Sequence, residues 1–462
     1  MSILGKSLIQ LIDLVNNKKI STQEIHKYFI NRIHKYNPQL NSYLSINERY
    51  TSTNKGPLFN LPISLKDNIC TKEIKTTASS NILQKFIPSY DATIVQKIIN
   101  SGGLILGKNN MDAWAHGSST ETSDFGPTNN PWDLTRSPGG SSGGSTAAVA
   151  SYITPASIGT ETAGSIRQPA SWSGVVGLKP TYGRVSRYGI IAMGSSLDCP
   201  GPIANYVEDC SLLLQIIAGK DIYDATSVET VVPNYLNSIT TKKTFEIGIP
   251  EEYFDNVDKD ILKKTQQAID ILKKSGHTFK KIKLIHPKYA ISVYTIIQRA
   301  EVSSNLSRYD GIRYGNDRSF FRQEAKKRIM LGTYVLSHGY YDAYYKKAQK
   351  VRTLIIQDFN KIFKEVDLVL APTTPTPALK LGEFEKYPFF GELMDILNEP
   401  SAIAGLPAIS LPTGLSKDNL PCGMQIIGNY FNEESILNLS YQFQKETNFF
   451  DIQKILLKKY PD

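Results

Sequence analysis

Residues 138–146 read PGGSSGGST, four glycines and paired serines placed directly ahead of the small-residue run AAVAS. So little side-chain bulk around hydroxyls means backbone that turns sharply and comes close to something else, in a phosphate loop or at a catalytic turn. A phosphate-binding P-loop needs a lysine and a Ser or Thr after its second glycine, and no lysine follows here. Gly139 to Gly143 also fits the G-x-S-x-G elbow, which exposes a serine between a strand and a helix. An elbow requires a downstream histidine and acid. His277, His286 and His338 lie in Lys-rich or Tyr-rich helical surroundings, and NNPWDLTRSPG ahead of Ser141 is turn-like rather than a strand. Both familiar uses of such a loop therefore fail on context.

Apolar strand patterns and amphipathic helices interleave along the rest of the chain. Ser21 and Glu24 have capping-box spacing ahead of EIHKYFINRIHKY, so two short helices precede a first strand in NSYLSI. LPISLKDN (61–68) alternates Leu61, Ile63 and Leu65 with Ser64 and Lys66, the pattern of a half-buried strand. DATIVQKIINSGG predicts a helix closed by paired glycines and LILGKNN the next strand, a β-α-β unit. After the glycine loop, SSGGSTAAVAS can form a helix, and ITPASIGTETAGSIRQPA predicts a strand running into a second small-residue turn. Further strands are expected in FEIGIP, DLVLAPT, AISLP and MQIIG, with helices over 258–275, 289–307, 342–363 and 433–446. No repeat or long linker divides them. The pattern predicts one α/β domain over residues 1–462, helix-rich at about 255–365.

Composition narrows the class. The chain has 462 residues and is 41% hydrophobic and 21% charged. A chain of that size and balance can bury its own core without disulfides or metals. No apolar run approaches the roughly 18 residues of a membrane span. MSILGKSLIQLIDLV carries Lys6, Gln10 and Asp13 within its apolar pattern, which predicts an amphipathic helix rather than a secretory leader and a cytoplasmic protein. Cys70, Cys199, Cys210 and Cys422 are far apart, with no C-x-x-C or H-E-x-x-H, so reduced thiols and no metal site are expected. The net charge of +9 is spread along helices such as KKTQQAIDILKK and YYKKAQKVR, a solvated basic surface more than a nucleic-acid site.

With no suitable histidine, a lysine can serve as base for a serine, provided burial suppresses its charge. Lys66 ends an apolar strand and is followed by Asp67 and Asn68. Its pKa would have to fall from about 10.4 to near 7. The segments LPISLKDNI, PGGSSGGS, GTETAGSIRQPA and GLKPTYGRVSRYG together resemble the amidase signature family. That resemblance implies an α/β fold with a mixed β-sheet core surrounded by α-helices, and a Ser-cis-Ser-Lys unit. Lys66 would be the base, Ser141 the bridging serine on a cis peptide, and Ser165 the nucleophile; the two serines are 24 positions apart, as in the family. The backbone N–H groups of Thr162, Ala163 and Gly164, with that of Ser165, match the family's oxyanion hole. Glu161 in place of Asp and Ala163 in place of Gly depart from the pattern, and a methyl at 163 would be excluded from a positive φ.

RAEVSSNLSRYDGIRYG, KKRIMLGTYVLSHGYYDAYYKKAQKVR, DLVLAPTTPTP and AGLPAISLP extend the resemblance to one branch of that family, the glutaminase subunits of tRNA-dependent amidotransferases. The branch implies that glutamine is hydrolysed to supply ammonia for amidating misacylated tRNA. It implies a heterotrimer completed by B and C subunits, with ATP and Mg used on the first of these, tRNA held mainly there, and no cofactor in this chain. Arg328 matches a residue for the substrate carboxylate, Asp395 one for its ammonium, and Tyr294 a tyrosine in contact with the ligand. The segment between Arg313 and Arg328 is shorter than the branch leads one to expect. Two alternatives remain: a stand-alone amidase for a small or lipid amide, lacking the roles of Arg328 and Asp395, and a non-catalytic scaffold in an RNA-binding assembly.

Overall fold

The strand patterns collect into a single sheet. The computed structural model describes residues 2–51, 56–312, 315–387, 390–447 and 449–462, and among these the sheet has eleven strands. They are β1 (Tyr43–Ile46), β2 (Pro62–Lys66), β3 (Leu104–Asn109), β4 (Ala156–Glu161), β5 (Val176–Lys179), β6 (Cys199–Ala204), β7 (Glu246–Pro250), β8 (Thr278–Ile282), β9 (Leu368–Pro372), β10 (Ala408–Leu415) and β11 (Pro421–Gly428). Their order is β1-β3-β2-β4-β6-β5-β10-β11-β9-β7-β8. β2 runs parallel to β3 and β4, β7 runs parallel to β8 and β9, and the other pairings are antiparallel. The sheet is therefore mixed, with helices on its faces.

One expectation for β2 is corrected. Every residue of Pro62–Lys66 is buried, so the strand is not half-exposed. Its alternation separates two interiors: Ile63 and Leu65 enter an apolar cluster, while Lys66 on the other side meets polar groups under the helix Gly143–Ala150. β6 was hidden by its composition, CPGPIA, because two prolines normally exclude a central strand. Its ladder to β5 involves only Ile203 and Ala204, so Pro200 and Pro202 have no partner to fail on that side. β5, β8 and the helices Val207–Ile217, Gln323–Leu336 and Phe449–Lys459 are likewise present without having been anticipated. The helix expected over 342–363 begins with a wider π turn over Tyr341–Lys346 before the α-helix Lys347–Ile362.

Two large cores flank the sheet. One joins the N-terminal helices to β2, β4 and the helix Val207–Ile217; the other surrounds the helix Lys288–Leu306. Gln323–Leu336 packs closely on that helix because Gly332 has no side chain: a Cβ there would overlap the carbonyl of Arg299. This approach brings Arg328 and Arg299 to the same wall of a cavity. Arg313, where the segment expected to be short begins, lies outside the described residues. Among the described residues no helix is long and apolar enough to cross a membrane. The four cysteines are buried and unbridged, and no cluster of potential metal ligands occurs among the described residues.

Candidate active site

Three segments converge at the carboxyl ends of β2 and β4. β2 delivers Lys66, the turn before Gly143–Ala150 delivers Ser141, and the loop after β4 carries Thr162 to Ser165. The Gly140–Ser141 peptide is cis. Lys66 Nζ donates to Ser141 Oγ at 2.7 Å and to the Thr160 carbonyl at 3.0 Å. Ser142 N–H donates to the Ser165 carbonyl at 3.1 Å, which ties the two serine loops together. Both partners of Lys66 are neutral oxygens, so nothing adjacent offsets its desolvation. Burial pushes its pKa down to about 7, against the pull of Asp112, Asp198 and Glu161.

The loop after β4 is held from behind. Glu161 and Arg167 form a fully buried ion pair at 2.6 Å, and Glu161 also accepts the N–H groups of Ile166 and Arg167 at 3.1 Å each. Arg167 then donates to the carbonyls of Ala163 at 3.0 Å and Asn398 at 2.9 Å, and to Gln425 Oε1 at 2.6 Å. Because C=O and N–H point opposite ways across a trans peptide, fixing the Ala163 carbonyl toward Arg167 aims the Gly164 N–H away from it. Among the described residues no protein acceptor takes the N–H of Thr162, Ala163, Gly164 or Ser165. Ala163 is not at positive φ, so its methyl is accommodated, and the concern raised by its departure from glycine is removed. Thr162 Oγ1 donates to Asp198 at 2.8 Å; burial lifts the Asp198 carboxyl to about 6 despite that bond and those from Met193 and Gly194.

Asp395 lies directly against this loop. A Cβ on Gly164 would overlap its Oδ1, so the glycine is what allows the carboxylate to approach. Asp395 is 4% exposed; Oδ2 accepts from Ser118 Oγ at 2.7 Å and Oδ1 has no partner. Burial pushes its carboxyl well above the usual range. Ser118 also lines a cavity of about 250 Å³, with His116, Arg299, Glu324, Arg328 and Glu392 on its walls. Arg328 is not paired with Asp395 or with the serine loop. Its Nε donates to Glu324 at 2.6 Å, one turn earlier on the same helix, while Arg299 pairs with Glu392. Burial opposes the Arg328 charge, but Glu324 and Glu392 outweigh it and hold the guanidinium protonated. Tyr294 is buried on Lys288–Leu306, within electrostatic reach of Arg328, Glu399 and Asp395, and burial raises its hydroxyl pKa.

The structure thus brings Lys66, Ser141 and the 162–165 loop together, sets Asp395 beside them, and places Arg328 and Tyr294 around the neighbouring space. Sequence reasoning missed Asp112, Asp198, Ser118, Glu324 and the Arg299–Glu392 pair. Asp112 receives the N–H groups of Ser119 and Thr120 and packs against Gly140, contacts for which no local motif gives a signal.

The amidase family profile matches residues 24–437. The chain belongs to the amidase family. Its α/β architecture, a large mixed sheet surrounded by helices, is the amidase signature fold, and the chain is an amidase-signature enzyme. Among curated relatives it is similar to the A subunit of the glutamyl-tRNA(Gln) amidotransferase of a Sulfurihydrogenibium species, 47% identical over 97% of this chain and 99% of the relative. The protein of the same name from Geobacillus thermodenitrificans is 45% identical over 99% of this chain and the whole relative. The crystal structure of the glutamyl-tRNA(Gln) amidotransferase A subunit from Thermotoga maritima superimposes with a TM-score of 0.84 at 39% identity, covering 94% of this chain and 93% of that one. A 6-aminohexanoate cyclic dimer hydrolase reaches a TM-score of 0.87 at 25% identity, covering 96% of this amidase and 98% of its own chain. The fold therefore does not choose the amide.

Proposed function

We propose that this chain is the glutaminase subunit of a tRNA-dependent amidotransferase, with residues 1–462 forming one catalytic domain in the cytoplasm. The observation that carries the reading is a buried lysine near neutrality bonded to Ser141, with Asp395 against the neighbouring 162–165 loop and Arg328 on the wall of the cavity that Ser118, the partner of Asp395, also lines. A guanidinium and a separate carboxylate suit the two charges of an α-amino acid, and full-length similarity to amidotransferase subunits points to glutamine.

In this mechanism neutral Lys66 takes a proton from Ser141 as Ser141 takes one from Ser165. Ser165 Oγ attacks the side-chain amide carbon, and the resulting oxyanion is met by the free N–H groups of Thr162, Ala163 and Gly164. Return of the proton through Ser141 to the amide nitrogen expels ammonia and leaves a glutamyl ester on Ser165. Water then enters by the same relay and releases glutamate. Arg328 holds the substrate carboxylate, Asp395 its ammonium, and Tyr294 packs beside them. Glutamine hydrolysis requires no cofactor here; ATP and Mg serve the B subunit of the heterotrimer, which amidates the misacylated tRNA, and the C subunit completes the assembly.

The test separates making ammonia from using it. An assembled enzyme carrying Ser165→Ala should fail to amidate tRNA with glutamine yet succeed with an ammonium salt at mildly alkaline pH, while the wild type uses both. A Ser165→Ala enzyme that still uses glutamine would overturn the assignment. A stand-alone amidase would instead turn over small amides without any tRNA-linked product.

A further inference from the structure

His116 is the most anomalous polar residue on the cavity wall. It is 1% exposed, yet neither ring nitrogen has a hydrogen-bond partner. Its backbone is satisfied: the N–H donates to the Ala113 carbonyl at 3.0 Å, and its carbonyl accepts from Thr122 Oγ1 at 3.2 Å. Only the ring is idle. An unpaired buried polar atom keeps the full cost of its desolvation, and folded proteins rarely retain one without a reason.

The surroundings indicate what the ring awaits. Trp114 and Ala115, both at left-handed φ (60° and 62°), turn the chain so that Trp114 packs on Tyr309 and Phe321 while His116 faces the cavity. Arg328, Arg299, Glu324, Lys327 and Glu392 are the charged groups on that wall. Burial and the two guanidiniums hold the imidazole neutral, with one N–H donor and one acceptor. Two residues on, Ser118 holds Asp395. The same short loop thus fixes the carboxylate assigned to the ligand ammonium and presents an unused donor beside the arginine assigned to the ligand carboxylate. Glu324, which occupies Arg328, has a side chain 35% exposed and can yield its place outward.

We propose that His116 is a substrate-binding residue whose ring N–H donates to the ligand carboxylate held by Arg328. The inference deepens the reading of the substrate as glutamine and rests on it. A carboxylate arriving beside a neutral imidazole favours the charged ring, so binding takes up a proton as pH falls toward the bound-state pKa. On this account glutamine binds more tightly at pH 5.5 than at 7.5 through His116. Asp395, pushed well up by burial, acts in the opposite sense as it protonates, so each variant is compared with its parent at each pH.

The experiment measures the glutamine Kd by calorimetry in the full-length assembled protein carrying Ser165→Ala, which binds without turnover. Adding His116→Phe should raise Kd by about 10- to 100-fold, the loss expected for a hydrogen bond to a charged group, without lowering the melting temperature. His116→Gln keeps a donor that cannot ionise, so it should stay within a few-fold of the parent at pH 7.5 while losing the His-dependent pH response. Parent-like Kd in His116→Phe, or a parent-like pH response in His116→Gln, overturns the proposal. Arg328→Ala distinguishes the two levels: if it raises Kd while the His116 variants do not, the substrate reading stands and the role of His116 falls. If Arg328→Ala has no effect either, both fall.

Discussion

Replacing Lys66 by methionine should abolish turnover and, at neutral pH, make the protein more stable. The lysine amine titrates near 10.5 in an unfolded chain and near 7 in the buried site. At pH 7 that difference is worth about 4 kcal/mol against folding, from about 1.36 kcal/mol per pH unit. Methionine fills the same unbranched volume without a charge to desolvate. The substitution loses the bonds to Ser141 Oγ and the Thr160 carbonyl, about 0.5–1.5 kcal/mol each. Thr160 keeps a partner, because Ser142 Oγ also donates to it at 3.1 Å. A net gain of roughly 1–3 kcal/mol remains.

The pH dependence distinguishes this cause from better packing. Between about pH 7 and 10.5 the unfolded chain binds the proton that the folded chain has released, so wild-type stability rises with pH in that window. The charge cost that Lys66→Met removes is therefore fully present below pH 7, shrinks through pH 8 and 9, and is gone above 10.5, where only the lost hydrogen bonds remain and the variant becomes the less stable protein. Denaturant unfolding of both proteins at pH 6, 7.5 and 9 reads it directly. An advantage that stays constant across those pH values, or a variant less stable than wild type at pH 6, would refute the reasoning. In the wild type the same titration should make kcat/KM fall about tenfold per pH unit below 7, since only the neutral amine can accept a proton.

Glu161→Gln should destabilise the fold by about 3–5 kcal/mol, because it leaves the guanidinium of Arg167 buried without its counter-charge; urea unfolding checks the value. Gly164→Ala should raise KM for glutamine much more than for a simple aliphatic amide, because its methyl would displace Asp395 rather than Lys66; comparing the two substrates on one preparation tests this.

The parts of the site that could be read from the sequence are those whose chemistry is local in the chain. Ser141 and Ser165 sit in small-residue loops that have no bland use, and Lys66 stands at a strand end next to polar residues. What holds these groups was not legible, because it comes from distant segments meeting in space. Asp198 fixes Thr162 from 36 positions away, and Arg167 ties the loop to Asn398 and Gln425, 231 and 258 positions further on. β6 was obscured for a related reason: whether a proline breaks a strand depends on which neighbour needs its N–H, and that neighbour, β5, is fixed only in the assembled sheet. The half-buried reading of β2 failed because alternation records two environments and does not say that one of them is water.

The site gathers groups that each oppose folding: a desolvated lysine, Asp395 Oδ1 and both ring nitrogens of His116 without protein partners, and a Glu399 carboxyl that is fully buried with neither oxygen bonded. At about 1–3 kcal/mol for each unpaired polar group, their sum is comparable to the net stability of a typical folded domain, about 5–15 kcal/mol. Such a concentration is sustainable only on a rigid support, which the carboxyl ends of β2 and β4 supply for Lys66 and the 162–165 loop. It also fixes what a ligand must bring. A molecule that offers Asp395 a cation, Arg328 an anion in place of Glu324 and the 162–165 amides a developing oxyanion meets all three at once, whereas a neutral amide meets only the last. Selection for an amino-acid amide is on this account a property of the charged and unpaired groups that line the site, and it operates before any bond is broken.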